Sequence, residues 1–102
     1  MKRKEFVSEM ITKVFGIKNF ELCSDGSGMY VRFGKKFRVI YVDENSKKEV
    51  ILKFKWWEEN VKEMKKFLKE KGIKGEVGLS NGNGYYGVDY LYVKFKKKPW
   101  SR

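Results

Sequence analysis

Apolar residues recur at Phe6, Val7, Met10, Ile11, Val14 and Phe15. That spacing gives a helix over 5–15 one wide apolar face. Gly16 follows, where a helix ends well on a left-handed residue. The design returns over 57–71. Trp57, Val61, Met64, Phe67 and Leu68 face one way, and Glu58 and Lys62 make an i,i+4 pair on the wet side. Gly72 is the matching cap. Elsewhere the hydrophobic period falls to two. Strands are predicted over 18–24, 28–33, 37–42, 49–55, 74–80, 84–88 and 90–96. Asp25-Gly26 and Asn81-Gly82 mark tight hairpins. Gly34-Lys35-Lys36 turns the chain into the strand that starts at Phe37. The polar run 43–48 turns it again, and Pro99 ends the last strand.

The pattern is written twice. Gly16, Ile17, Lys18, Ser24, Gly26, Gly28 and Tyr30 recur as Gly72, Ile73, Lys74, Ser80, Gly82, Gly84 and Tyr86, at an offset of 56. Glu5, Val7, Glu9 and Met10 recur as Glu59, Val61, Glu63 and Met64, at an offset of 54. A unit read twice constrains the architecture. The expected fold class is therefore α+β, one domain over 1–102. It consists of two pseudo-equivalent repeats, 1–56 and 57–102, packed around one core. Each repeat is a helix followed by an antiparallel hairpin or meander. The expected core is Phe6, Met10, Val14, Phe33, Phe37, Val39, Phe54, Val61, Met64, Leu68, Val93 and Phe95. Tyr41 and Leu52 are expected to share the inward face of their strands.

Charge and composition then narrow the partners. The chain has 102 residues, 24 of them basic and 13 acidic, for a net charge of +11. Such an excess attracts polyanions and acidic protein surfaces alike. Lys far outnumbers Arg, the residue better suited to bidentate phosphate and base contacts. Ala, Gln and His are absent, and Lys and Glu are abundant, which is a hyperthermophile habit. No apolar run approaches a membrane span, and Met1-Lys2-Arg3-Lys4 is not followed by a signal-peptide core. The expectation is a protein without a membrane anchor, intracellular or inside a virion and not secreted, as a monomer or homodimer.

The same composition argues against catalysis. Without His there is no imidazole base, no Ser-His or Cys-His pair and no His-ligated metal. Cys23 is the single cysteine, so it forms no internal disulfide, and its strand position suggests a small core residue. Asp25, Asp43 and Glu44 fall in predicted turns, where such residues serve turn geometry. A carboxylate-only metal site stays conceivable, but the chain gathers no acidic cluster on one face. Gly26-Ser27-Gly28 and Gly82-Asn83-Gly84 resemble phosphate cradles, but each feeds a strand rather than a helix N-terminus, so a hairpin turn explains them better. The expectation is a protein that binds and does not catalyse, with no cofactor and no metal.

Two binding surfaces are open on these grounds. The preferred one is a groove between the repeats that takes a peptide or protein segment, acidic by charge complementarity. Unequal strand counts should leave an edge strand unpaired, ready for strand addition. Trp56, Trp57 and Trp100 lie near the unit boundaries and are candidates to line the groove, although core packing accounts for Trp57 equally well. The alternative is nucleic acid on a sheet face bearing Tyr30, Arg32, Arg38, Lys53, Lys55, Tyr92, Lys94 and Lys96, with Tyr90 beside them. Rings on such a face stack on bases and cations follow phosphates. A solvated face in a Lys-rich chain also looks like this by default.

The doubled Gly-Ile-Lys…Ser-[Asp/Asn]-Gly-[Ser/Asn]-Gly-[Met/Tyr]-Tyr unit, with this composition, resembles the small orphan proteins of filamentous viruses that infect hyperthermophilic archaea, such as Acidianus filamentous virus. The resemblance implies a viral accessory protein that acts by binding inside the host cell. It carries over no functional residue.

Overall fold

The computed structural model describes residues 1–25, 28–45, 49–55, 57–80 and 90–100. The two amphipathic segments form α1 (Arg3–Phe15) and α2 (Val61–Lys71), the second preceded by a 3-10 turn, Glu58–Asn60. Both helices end as their glycines require. Gly16 has φ 70° and Gly72 φ 68°, and the Gly72 N–H bonds back to the carbonyls of Leu68 and Lys69.

The strands are β1 (Glu21–Asp25), β2 (Gly28–Phe33), β3 (Lys36–Asn45), β4 (Glu49–Lys55), β5 (Glu76–Ser80) and β6 (Tyr90–Phe95). They form one sheet in the order β1-β2-β3-β4-β6-β5, every neighbouring pair antiparallel. The fold is α+β: among the described residues, two helices lie on a six-stranded antiparallel sheet.

Both helices press on the same face. Phe6, Val7, Met10, Ile11 and Val14 of α1 and Met64, Phe67 and Leu68 of α2 share one buried cluster with the alternate residues of the central strands. These are Met29 and Val31, Ile40, then Val50, Leu52 and Phe54, then Leu91, Val93 and Phe95. Phe6 sits against the rings of Phe67, Phe95 and Trp100, with centroids 5.7 to 6.1 Å away. Burial of such side chains stabilises by roughly 1.5–3 kcal/mol each. Asn60 donates from Nδ2 to the carbonyl of Val14 at 3.3 Å, tying the end of α1 to the start of α2.

Strand β3 departs from the sequence expectation. The chain turns on two residues, Gly34 and Lys35, so Phe33 pairs with Lys36 and Arg32 with Phe37. Gly34 takes the positive φ, 63°, that this tight turn requires. A three-residue turn would have placed Phe33 and Phe37 on one face. The shift by one residue reverses the whole strand. Ile40 and Val42 therefore face the core, while Phe37 is 62% exposed and Val39 is half-buried outside the core. Phe33 and Val61 are only partly buried against the core. Cys23 is half-buried and pairs with Tyr30, and its neighbour Leu22 packs on the core instead.

The second half is also arranged differently. Strand β6 pairs directly with β5 and β4, so it stands beside the first strand of its own half. The expected strand 84–88, the Asn81-Gly82 hairpin, the residues Gly26 and Trp56, and the tip 46–48 of the polar turn lie outside the described residues. Among the described residues no helix is long and apolar enough to cross a membrane.

Candidate functional site

An antiparallel sheet can leave one face to solvent. Here that face is opposite the helices, and side-chain alternation decides what it carries. Cys23 pairs with Tyr30, Tyr30 with Val39, Lys55 with Tyr90 and Tyr90 with Ser80. Because Ile40 faces Phe54, Val39 comes level with Lys55. One rung thus crosses all the strands with Tyr30 and Tyr90 on either side of Lys55. Three strand spacings separate the two tyrosines, about 14 Å. The next rung places Lys53 beside Tyr92 and Tyr92 beside Gly78. Beyond it, Lys94 lies between Ile51 and Glu76.

Three contacts order this face. Lys53 Nζ stands 5.7 Å from the centroid of the Tyr90 ring. The Tyr92 hydroxyl donates to Glu76 Oε1 at 3.5 Å. The outer half of the Tyr92 ring lies across Gly78, where any Cβ would sit 2.7 Å from the hydroxyl oxygen. Tyr92 is therefore laid sideways toward the edge strand, a ring covering a strand glycine.

Charge on the face is uneven. Arg32 meets Glu21 at 4.0 Å, and Lys94 meets Glu49 at 3.1 Å. The Glu49 hydrogen bond, with its charge, holds the Lys94 ammonium above its usual range. Carboxylates thus offset the cations toward the ends of the strands. Lys53 and Lys55 occupy the middle, between tyrosines.

Of the residues expected to form a basic aromatic face, the structure brings together Tyr30, Arg32, Lys53, Lys55, Tyr92 and Lys94. Lys96 follows the end of β6. Arg38 is on the other side, because β3 is reversed. Its guanidinium stands 5.0 Å from the Trp57 ring, which stacks on Phe15 at 4.4 Å and 15°.

The tryptophans take a different place from the one expected. Trp57 is 3% exposed and Trp100 8% exposed, both in the core cluster under the helices. Within the sheet the two halves join at the hydrogen-bonded pair β4 and β6. Trp57 and Trp100 therefore line no groove there. Among the described residues the sheet ends at β1 and β5.

Sequence reasoning missed Gly78, Val39 and Ile51 on the open face. The alternation of β4 gave the signal for Ile51, since it falls in phase with Lys53 and Lys55. Among the described residues no three His, Cys, Asp or Glu side chains converge as a metal site would need. Comparison with protein-family models, with curated proteins and with solved structures finds no match.

Proposed function

We propose that the face of the sheet opposite the helices binds single-stranded nucleic acid, without a catalytic step. The observation that carries this reading is the interleaving of Tyr30, Tyr90 and Tyr92 with Lys53 and Lys55 on a face that neither helix covers. Rings on a sheet offer stacking surfaces to unpaired bases, and lysines between them follow the phosphates. A duplex hides its base faces and gains only the electrostatic part. The net charge of +11 draws the polyanion in.

A titration of single- and double-stranded oligonucleotides at two salt concentrations tests the reading. Single strands are expected to bind more tightly, with log K falling against log salt at a slope of about −1 to −2 for a few phosphates. No binding at low salt, or equal binding of duplex and single strand, sinks it.

A peptide partner is the second reading, favoured by β1 and β5, which among the described residues each pair with one strand only. A segment adding to an edge would gain main-chain hydrogen bonds. In that case an acidic peptide binds and the oligonucleotides do not.

We also propose that the halves descend from one unit. The capping glycines with matching φ and the edge positions of both β1 and β5 support this reading. The Lys- and Glu-rich composition without Gln fits a protein of a hyperthermophile virus.

A further inference from the structure

Past the rung of Glu76 and Lys94 the open face runs into a pocket of about 690 Å³. Residues 72–75, which leave α2, and residues 96–99, which leave β6, line it. Its volume is that of a small-molecule site, about 300–1,000 Å³. Ile73 and Pro99 contribute apolar surface, and Lys74, Lys94, Lys96, Lys97 and Lys98 contribute cations.

The two acidic groups of the lining, Glu49 and Glu76, are already engaged, by Lys94 and by the Tyr92 hydroxyl. Among the described residues Lys74, Lys96 and Lys97 have no carboxylate partner. Lysines gathered without counter-charge repel one another, and an anion between them relieves that repulsion.

We propose that this pocket holds the phosphorylated terminal nucleotide of a strand lying on the open face. The inference rests on the nucleic-acid reading. Lys74, Lys96 and Lys97 hold the phosphate, and the sugar and base lie against Ile73 and Pro99. A terminal phosphate monoester carries about −1.5 to −2 charges at neutral pH, against one for a diester inside the strand. The pocket therefore prefers an end to a passing segment. Tyr92 stands one rung away on the same strand, about 6.6 Å from Lys94, so one strand reaches both.

The test is fluorescence anisotropy with oligomers of about ten nucleotides, labelled at one end and bearing phosphate or hydroxyl at the other, in both polarities. A terminal phosphate at one of the two ends is expected to tighten binding about fivefold or more at low salt. The double variant Lys74→Gln, Lys97→Gln should lose that gain. The matched pair Lys62→Gln, Lys66→Gln on α2 removes the same charge elsewhere and should keep it. Equal binding of phosphate- and hydroxyl-ended oligomers overturns the pocket inference and leaves the face reading standing. Loss of the gain in both double variants also overturns it, since net charge then explains the effect. Adenosine monophosphate binding as tightly as the phosphorylated oligomer assigns the pocket to a free nucleotide and overturns the strand-end assignment. If no oligomer binds, the face reading falls and this inference falls with it.

Discussion

The Tyr92 ring lies over Gly78, so close that a Cβ there would stand 2.8 Å from the ring Cζ. The pair is cross-strand, and it aims the ring along the sheet rather than out from it. Gly78→Ala therefore sets two effects against each other. A strand alanine gains roughly 0.5–1 kcal/mol over glycine in backbone entropy. Displacing the ring loses cross-strand packing of similar size, roughly 0.2–1 kcal/mol. The expected outcome is a stability change below about 1 kcal/mol by urea unfolding, with the Tyr92 ring resonances shifted. Oligonucleotide affinity should fall, because the platform is lost while the fold is kept. Unmoved ring resonances would show that Tyr92 does not rest on Gly78.

Tyrosines and lysines on the face should fail in different ways. Tyr90→Phe keeps the stacking surface and should bind nearly as the parent does. Tyr90→Ala and Tyr92→Ala should each cost about 1–3 kcal/mol of binding with the salt slope unchanged. Lys53→Gln and Lys55→Gln should weaken binding for every sequence and lower the salt slope by up to about one unit each. Binding isotherms at several salt concentrations separate the two. Loss of slope in the tyrosine variants would contradict stacking.

Much of the fold was legible because its signals are local. The apolar spacing in 5–15 and the two capping glycines need no knowledge of the rest of the chain. The inward set Val50, Leu52 and Phe54 could be read from alternation alone. The face of β3 could not. Phe37, Val39 and Tyr41 make as good an apolar alternation as Ile40 and Val42, so the choice rested on the length of one turn. Trp100 is another such case. Its burial against Phe6 depends on where residues 96–99 lead the chain after β6. The pairing of β6 with β4 joins the two halves and is non-local. The candidate site was legible wherever it lay on β2, β4 and β6. It failed at Arg38, which follows the reversed strand.

The reversal of β3 has a direct test in two substitutions. Phe37 is 62% exposed and Ile40 is fully buried. Phe37→Ser should change stability by no more than about 0.5 kcal/mol, as surface substitutions do. Ile40→Ala should cost about 2–5 kcal/mol, from lost transfer energy and the cavity left behind. Chemical denaturation measures both. The opposite order would place Phe37 inside and restore the three-residue turn.

Stability should also carry an acid-dependent part through Glu9. This carboxylate on α1 is bound by Lys71 at the end of α2 and by Lys13 one turn on, the latter at 3.4 Å. The hydrogen bond from Lys71 holds the Glu9 carboxyl below its usual range, against the opposing effect of burial, with the charges of Lys71 and Lys13 adding to it. A carboxyl whose folded-state pKa is depressed binds its proton more readily in the unfolded chain. Its stabilising contribution is complete above the ordinary glutamate value, about 4.3, and is lost as pH falls through the lower folded-state value. Glu9→Gln keeps the size of the side chain and removes the charge. The variant should be less stable than the parent at pH 7, by under about 1 kcal/mol because the pair is partly solvated. The difference should shrink below about pH 4 and vanish in stronger acid, where the parent has lost the same charge. Urea unfolding of both proteins along a pH series reads this directly. A difference that stays constant down to strong acid would mean that shape, not the charge linking the two helices, is what Glu9 supplies.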